Sequence, residues 1–380
     1  MNLRNKSILF VVQYAAPYEG NFMKSLYALE NRLKDYGCRV VYVLPQKANM
    51  CHWFSNASKL HEMLLIDDNP SKTVSQLARI FLEVNPSIIH THFDGYDIPV
   101  VKAVRKLGME ENVKVVWHLH DHLSFMSNIA KKVYQIYGYL MHYGKYAKNV
   151  ATIGVGAEVA YFVNVWHKLW NNGDFKRLAI IPNAIDTTRI TTFKRNDKVG
   201  SSFLAFGGRN VQKRVDLLLN AASILNGGGK NLENKNRVDV YITRGTDTDE
   251  VVTKVFGNNV PDWCHVVEQR ENINELLEMA DCFVSCSDAE TFSYAICEAT
   301  IANMPVIQSD IDGTMWNAES KSAFLFKQGD AASCAEAMKR YMDSDVNELQ
   351  KECLKTREHN QRCYGLDTWC KRVINFYEHL

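Results

Sequence analysis

Short apolar runs rich in β-branched residues alternate along the chain with longer stretches in which apolar positions recur every three or four residues. The short runs have the length and composition of buried β-strands, and the longer stretches have the period of amphipathic helices. In the first half, the strand-like runs are SILFVV (7–12), CRVVYVL (38–44), SIIHTH (87–92), KVVWHLH (114–120) and NVATIGV (149–155). Strands that alternate with helices predict parallel βαβ units in a doubly wound sheet.

The same alternation starts again in the second half of the chain. Its strand-like runs are SFLAFGG (202–208), VDVYITRG (238–245), HVVEQ (265–269), CFVSCS (282–287) and MPVIQSD (304–310). A Pro-Asn turn followed by polar residues makes segment 179–190 a linker between the halves. The pattern therefore predicts an α/β fold of two Rossmann-like domains facing across a cleft, with a first domain over 1–178 and a second over 186–364. Ligands of such sheets bind at the carboxyl ends of the strands.

Length and composition are consistent with two globular domains, and they limit the classes of function that the protein can have. The chain has 380 residues, 46% of them hydrophobic, and a net charge of +1, which gives no reason to expect a nucleic-acid partner. Ten cysteines without a C-x-x-C pair indicate free thiols in a reducing compartment. No apolar run approaches the roughly 18 residues of a membrane span, and no signal peptide is evident at the start. We therefore expect a cytoplasmic protein.

A glycine-rich, basic turn follows the first strand-like run of the second half. In FGGRNVQKRVD, residues 206–216, Gly208 permits close backbone approach, while Arg209 and Lys213 stand beside the start of an amphipathic helix. An arginine fork and a lysine point charge suit a diphosphate. A solvated basic turn explains the same residues, so this segment alone leaves both interpretations open.

Two glutamates stand in the otherwise apolar segment DAETFSYAICEAT, residues 288–300. Ser293 is a plausible N-cap, which places Glu290 in the preceding loop and Glu298 about a turn and a half into the helix. Free amides at such a helix start can bind a phosphate. They would belong to Thr291, Phe292, Ser293 and Tyr294. Glu298 could accept hydrogen bonds from a ribose and Glu290 from a polyhydroxy group, or the two could be a capping residue and an exposed helix residue.

Histidines and aspartates also suggest metal sites. In HLHDH, residues 118–122, strand alternation puts His118 and His120 on one face, so a two-histidine site is conceivable. Two D-x-D triplets, 247–249 and 310–312, could belong to a metal-dependent transferase of a different fold. Each triplet lies in a polar turn, however, and such matches are frequent by chance. Our prediction is that none of these residues holds a metal.

Four motifs occur in a fixed order in the second half. They are PNAID (182–186), G-R-x-x-x-K-x-x-D (208–216), E-x7-E (290–298) and PVIQSDIDG (305–313). This half resembles the donor-binding domain of family 4 glycosyltransferases, which have the GT-B fold. The first half is similar to the same family through its EGN loop (19–21), IIHTH strand (88–92) and HLHDH segment (118–122). The helix expected over 365–380 resembles the family's last helix, which returns to the first domain.

The resemblance implies roles for particular residues. It places Glu298 on the nucleotide's ribose, Glu290 against the donor sugar, and Arg209 and Lys213 on the diphosphate. It also places His120 near the donor sugar. Of the glycine pair that is common in the family's first loop, this sequence retains only Gly20. The implied activity is retaining transfer of a sugar from a nucleotide diphosphate, most simply UDP, to a hydroxyl acceptor in polysaccharide or glycoconjugate biosynthesis. The implied partners are a nucleotide-sugar donor and a carbohydrate or lipid-linked acceptor, and neither a cofactor nor a metal is expected.

The sequence departs from the family pattern between the two glutamates. The usual E-G-F-G-[LM]-P is Glu290-Thr-Phe-Ser-Tyr-Ala295 here, and the loss of both glycines restricts the backbone beside the sugar and phosphate. The donor sugar therefore stays open. The alternatives are a sugar-nucleotide epimerase, a metal-dependent hydrolase, and a nucleotide-sugar-binding subunit that supports a partner without catalysis.

The segment AKKVYQIYGYLMHYGKYAKNV, residues 130–150, has two faces at helical spacing. One stripe should pack inward, and it comprises Val133, Ile136, Leu140 and Ala147. The other comprises Tyr134, Tyr137, Met141, Lys145 and Lys148. Tyrosine and lysine suit a membrane interface, where the enzyme would dock peripherally and use a lipid-linked acceptor. A second packing face with outward lysines fits the same pattern.

Overall fold

A computed structural model describes residues 1–120, 144–147, 149–156, 178–193, 198–227 and 237–380, together with residues 133, 137, 138 and 141. The chain divides into two compact units. Unit 1 comprises Met1–Ala184 and Leu366–Leu380, and unit 2 comprises Ile185–Gly365. The predicted division, at 178 and 186 and again at 365, lies within a few residues of these bounds.

Unit 1 contains a parallel seven-stranded sheet in the order β3-β2-β1-β4-β5-β6-β7. Its strands are β1 (Ser7–Val12), β2 (Arg39–Pro45), β3 (Glu62–Ile66), β4 (Ile88–His92), β5 (Lys114–Leu119), β6 (Val150–Gly154) and β7 (Leu178–Ile180). Five of them are the predicted strands. The sequence pattern missed β3, which is an edge strand with one fully buried residue, and β7, which has three residues and lies in the predicted linker.

The described helices of unit 1 cover both faces of this sheet. They are α1 (Gly20–Lys34), α2 (Phe54–Leu60), α3 (Pro70–Val84), α4 (Asp97–Lys106) and, from the end of the chain, α12 (Leu366–Glu378). The stripe Phe22, Leu26, Leu29 and Leu33 of α1 is buried, as its spacing predicts. One core lies under α1 and α12, and the other lies under α3 and α4. The last helix therefore completes a domain that the chain began at its other end.

Unit 2 contains a parallel six-stranded sheet in the order β10-β9-β8-β11-β12-β13. Its strands are β8 (Ser202–Ala205), β9 (Asp239–Thr243), β10 (Cys264–Val267), β11 (Cys282–Ser285), β12 (Val306–Ser309) and β13 (Ala323–Phe326). Its helices are α5 (Asn210–Lys213), α6 (Val215–Leu225), α7 (Thr248–Phe256), α8 (Ile273–Leu277), α9 (Tyr294–Ile301), α10 (Ala331–Met342) and α11 (Val346–Tyr364). The predicted class, two Rossmann-like α/β domains, is confirmed.

The two-faced segment 130–150 lies mostly outside the described residues. Of its predicted inward stripe, Ala147 is buried, but Val133 is 61% exposed, so the stripe does not pack inward along its whole length. Ala147 directly follows a short 3-10 turn at Gly144–Tyr146, and this turn interrupts the α-helical spacing that the predicted stripe requires. Among the described residues, no helix is both long and apolar enough to cross a membrane.

Candidate functional site

The candidate site of unit 2 is built from loops at the carboxyl ends of its central strands. The loop after β8 lies directly against the loop after β9. A Cβ atom at Gly207 would lie 2.0 Å from the Thr243 carbonyl oxygen, and one at Gly245 would lie 2.2 Å from the Gly208 amide nitrogen. These contacts leave no room for side chains, so glycine is required at Gly207 and at Gly245 for this approach of two backbones.

Arg209 and Lys213 flank the short helix α5 that follows this loop. Arg209 is exposed at the N-cap position, and the Asn210 amide donates to both carboxylate oxygens of Asp247 at 3.0 Å. Arg214, at the end of α5, has a φ of +50°, which is uncommon for a residue with a Cβ. Its guanidinium donates to Asp216 and, at 2.8 Å, to Asp288, which holds this turn in place.

The structure brings Lys213 and Glu290 together although 77 residues separate them. Lys213 Nζ lies 2.6 Å from Glu290 Oε1, and the Ser287 hydroxyl donates to the same oxygen at 2.9 Å. Glu290 is 9% exposed, so its carboxylate is held by these two contacts rather than by bulk water. The sequence analysis missed Ser287; its position two residues after β11, at the end of CFVSCS, was the available signal.

The loop after β12 supports Glu290 from behind. A Cβ atom at Gly313 would lie 1.8 Å from the Glu290 carbonyl oxygen, so only glycine fits at this position. The Ser309 hydroxyl donates to the Ser287 carbonyl oxygen at 2.5 Å. The PVIQSDIDG motif therefore positions the backbone around Glu290.

Ser293 is the N-cap of α9, as predicted, and its hydroxyl accepts a hydrogen bond from the Ile296 amide at 3.4 Å. Phe292 is buried and its ring stacks on Trp316, with centroids 5.0 Å apart. The Phe292 side chain is therefore part of the packing of unit 2, and only its backbone can serve a ligand. Thr291 and Tyr294, the other two residues of this predicted loop, are half-buried on either side of the cap.

Glu298 lies in the second turn of α9 and is half-buried. It is therefore neither the freely exposed helix residue of the simpler interpretation nor part of the Lys213–Glu290 pair. In unit 1, Gly20 opens α1 with a φ of +57°, in the left-handed region that favours glycine. A Cβ atom there would lie 3.6 Å from the Tyr14 hydroxyl oxygen, so the conformation, and not crowding, is the reason for glycine.

Four histidines of unit 1 lie together at the ends of β4 and β5. His90 and His92 come from β4, and His118 and His120 come from β5 and the residue after it. His92 Nδ1 lies 3.0 Å from His120 Nε2, and the rings of His118 and His120 stack with centroids 4.5 Å apart. The sequence analysis considered only the histidines of HLHDH, residues 118–122. The alternation in IIHTH was the signal for the other two, because it puts His90 and His92 on one face.

Burial keeps all four imidazoles neutral. It lowers the pKa of His90 and of His120 to about 3, and it lowers the pKa of His92 and His118 well below the ordinary value. A hydrogen bond with the Asn183 side chain acts in the opposite direction on the pKa of His120 and is the weaker effect. His120 is therefore neutral at pH 7 and carries no positive charge.

Ring nitrogens of His90, His92 and His118 lie within 4.8 Å of one another, and this is the group of described residues that could hold a metal ion. The first D-x-D triplet has other partners: Asp247 accepts from the Asn210 amide, and Asp249 pairs with Arg244. His122 lies outside the described residues.

Comparison with known proteins identifies the fold. Residues 201–344 match the family described as "Glycosyl transferases group 1". HepE from Anabaena, solved with UDP and glucose, is similar to the chain with a TM-score of 0.75 and 16% identity over 99% of this chain and 100% of HepE. The chain has the GT-B glycosyltransferase fold.

Other GT-B structures agree. A glycosyltransferase from Rickettsia africae has a TM-score of 0.71 and 15% identity, with 98% of each chain covered. The sucrose-phosphate synthase of Thermosynechococcus elongatus has a TM-score of 0.70 and 14% identity, also with 98% of each chain covered. A comparison with curated proteins finds no match. The resemblance to GT-B glycosyltransferases is therefore confirmed, and membership of family 4 in particular stays a prediction.

Proposed function

We propose that this protein is a retaining, family 4-type glycosyltransferase that moves a sugar from UDP to a hydroxyl acceptor. The observation that carries the proposal is the Lys213–Glu290 pair at the carboxyl ends of β8 and β11, within the part of the chain that matches the transferase family. A carboxylate that can bind sugar hydroxyls and a cation that can bind a phosphate thus lie within 2.6 Å. The choice of UDP is supported by HepE, which has been solved with UDP and with UDP-glucose.

In this proposal Arg209 and Lys213 hold the diphosphate and neutralise the charge that grows on it as the bond to the sugar breaks. Stabilisation that increases towards the transition state accelerates the reaction, whereas equal binding of substrate and transition state does not. Two fixed cations supply the charge that a divalent ion supplies in other transferases, so transfer requires no metal at the diphosphate.

The two glutamates divide the donor between them. Glu298 binds the ribose hydroxyls, and Glu290, fixed by Ser287 and Lys213, binds the sugar. Amides of residues 291–294 face the phosphates, and the neutral His120 lies near the donor sugar. Thr291 and Ser293 replace the two glycines of the family pattern, so the loop backbone is stiffer. The shape of this stiffer loop determines which sugar is accepted.

In this proposal the transfer is a front-face displacement. The acceptor oxygen bonds to the anomeric carbon on the face from which UDP leaves, and the bond from that carbon to the β-phosphate oxygen breaks. The same β-phosphate oxygen takes the proton of the acceptor hydroxyl, so the products are the glycoside with retained configuration and UDP. Every proton and electron pair is accounted for without a further reactant.

The acceptor belongs to polysaccharide or glycoconjugate biosynthesis in the cytoplasm, which suits ten cysteines that are all free thiols. We include peripheral docking on an anionic membrane. Three cations, Lys102, Arg105 and Lys145, lie 5.3–5.5 Å from the centre of the Tyr146 ring, and such a basic, aromatic patch suits a headgroup surface.

The deciding experiment is a donor panel with the purified chain and no partner protein. UDP-, GDP- and ADP-linked sugars are compared by thermal shift and by nucleotide release, with and without EDTA. We expect UDP release that continues in EDTA, and a ¹H NMR time course that shows the α-configuration of the donor in the first product. Conversion of the donor sugar without an acceptor would indicate an epimerase, and binding without turnover would indicate a non-catalytic subunit.

Membrane docking is tested separately by co-sedimentation with vesicles of anionic or neutral lipid. The variant Lys145→Glu/Lys148→Glu should lose binding to anionic vesicles, because it reverses two lysine charges of segment 130–150, one of which, Lys145, belongs to this patch. The control Lys59→Glu/Lys254→Glu makes the same charge change at exposed sites elsewhere and should bind like the wild type. Equal binding of both variants would remove the membrane from the proposal while leaving the transfer activity untouched.

A further inference from the structure

The histidine cluster of unit 1 contains buried ring nitrogens with no hydrogen-bond partner among the described residues. They are His90 Nε2, His92 Nε2, His118 Nδ1 and His118 Nε2. Each of the three histidines is fully buried. An unsatisfied polar atom in a protein interior costs on the order of 1–3 kcal/mol, so four such atoms in one place require an explanation.

The engaged nitrogens show how the rings are oriented. His90 Nδ1 lies 2.5 Å from the Tyr377 hydroxyl oxygen, and His92 Nδ1 lies 3.0 Å from His120 Nε2. If each Nδ1 carries the proton and donates it to that partner, the Nε2 of each ring carries a free lone pair. A histidine that donates from one ring nitrogen to a fixed partner while the other faces an ion is the usual arrangement at protein metal centres.

We propose that His90 Nε2, His92 Nε2 and one ring nitrogen of His118 bind a late first-row transition-metal ion, for which Zn²⁺ is the probe. The candidate nitrogens lie within 4.8 Å of one another, whereas three ligands about 2.0–2.1 Å from a tetrahedral ion are roughly 3.4 Å apart. Binding of the ion therefore has to draw the three nitrogens closer together by about 1 Å. A set of three imidazoles favours Zn²⁺, Cu²⁺ or Ni²⁺ over Mg²⁺, Ca²⁺ or Mn²⁺, which prefer oxygen.

The position of the cluster assigns the ion a structural role. His92 and His118 are paired in register across β4 and β5, and the cluster is covered by α12 through Tyr377 and through Trp369, whose ring stacks on His118 with centroids 6.3 Å apart. An ion there joins two central strands and orients the tyrosine of the last helix. It lies in the core of unit 1, so it does not replace the cations Arg209 and Lys213 of unit 2.

This proposal departs from the sequence-based expectation that the chain holds no metal. That expectation considered the histidines of one strand, whereas the site takes two ligands from β4 and one from β5. His120, which the proposed function places near the donor sugar, contributes through the orientation of His92 and not as a ligand.

The test measures metal content directly. The chain is expressed without a histidine tag in zinc-supplemented medium, dialysed against metal-free buffer, and analysed by inductively coupled plasma mass spectrometry. We expect about one ion per chain in the wild type and in His265→Gln, a control at a half-exposed histidine of unit 2. We expect a loss of at least fivefold in His118→Val. A folded wild type with less than about 0.1 ion per chain, or equal content in His118→Val, overturns the proposal.

A second measurement on the wild type removes the dependence on the variant's folding. Protein expressed in cobalt-supplemented medium should show the visible absorption bands of Co²⁺ in a low-coordinate nitrogen site, with the same bands in His265→Gln. A spectrum identical to that of hydrated Co²⁺ contradicts the proposal. Neither readout uses transfer activity, so failure here is independent of the donor panel.

Discussion

At the scale of single residues, the ion pair of Lys213 and Glu290 is the feature that separates this chain from a generic α/β fold. The side chains are 30% and 10% exposed, and partly exposed ion pairs contribute little to stability. The buried Ser287 hydroxyl nevertheless donates to Glu290. The Glu290 carbonyl also packs so closely on Gly313 that only glycine fits at that position. These contacts fix the position of Glu290, although the ion pair itself stabilises the fold little.

We expect Arg209→Ala and Lys213→Ala each to lower kcat/KM by about 10²–10³-fold, because each removes one cation that stabilises charge on the leaving diphosphate. Steady-state UDP release measures the effect. Lys254→Ala, at an exposed lysine of α7, is the matched control and should keep the wild-type rate. Rates near wild type in both active-site variants would show that the diphosphate binds elsewhere.

The two glutamates should respond differently to removal. Glu298→Ala should weaken UDP binding by about 1.5–3 kcal/mol, because it removes a charged acceptor for the ribose hydroxyls. Glu290→Ala should leave UDP affinity unchanged and reduce transfer, because its proposed partner is the sugar. Isothermal titration with UDP and turnover of UDP-sugar separate the two. If both variants lose UDP affinity equally, the proposed division of the donor is wrong.

At the scale of elements, the site depends on loops that pack backbone against backbone. The loops after β8 and β9 meet through glycines, and the loop after β12 meets the loop before α9 through Gly313. Each of these short strands ends at a point from which the loop that follows it can contact a neighbouring loop. Catalytic side chains on loops gain their precision from such contacts.

We expect Gly313→Ala to destabilise the chain by about 1–3 kcal/mol and to reduce transfer, because its Cβ would lie 1.8 Å from the Glu290 carbonyl oxygen and one backbone must move. Thermal unfolding and UDP release measure the two effects. Gly138→Ala is the control, since no atom of the described residues lies within 4 Å of the added carbon. A wild-type melting temperature for Gly313→Ala would mean that the two loops do not touch in solution.

At the scale of the whole molecule, unit 1 is made from both ends of the chain. Helix α12 places Trp369, Val373 and Phe376 in the same core as β1 and α1, and Asp367 pairs with Arg32 of α1 at 2.6 Å. The stripe of α12 was predicted from its spacing. The core of unit 1 is therefore complete only when the last residues of the chain have folded.

We expect Phe376→Ala to cost about 3–5 kcal/mol of stability, because the ring is 1% exposed and its removal leaves a cavity. The loss of stability should be confined to unit 1. Hydrogen exchange followed by mass spectrometry measures the protection of each unit separately. Asn375→Ala, one residue earlier on the exposed face of α12, should exchange like the wild type. Equal loss of protection in both units would show that they unfold together.

The sequence by itself determined the architecture, because hydrophobic periodicity reports which faces of each element are buried. The structure repeats several local patterns of the sequence: the stripes of α1 and α12, ten of the thirteen strands among the described residues, and the Ser293 cap. The missed strands β3, β7 and β13 are short or lie at sheet edges, where burial imposes little pattern. Charged motifs likewise marked Arg209, Lys213 and both glutamates as candidates.

Only the tertiary structure decided which candidates meet. Parallel strands bring their carboxyl ends to one edge, so Lys213 reaches Glu290 across 77 residues, and Ser287 and Gly313 gain roles that no local spacing shows. The same geometry joins the histidines of two strands 26 residues apart, from His92 to His118, into one buried cluster. Spacing along a chain reports faces of single elements, whereas contacts between elements depend on sheet order and register, and these are settled by packing.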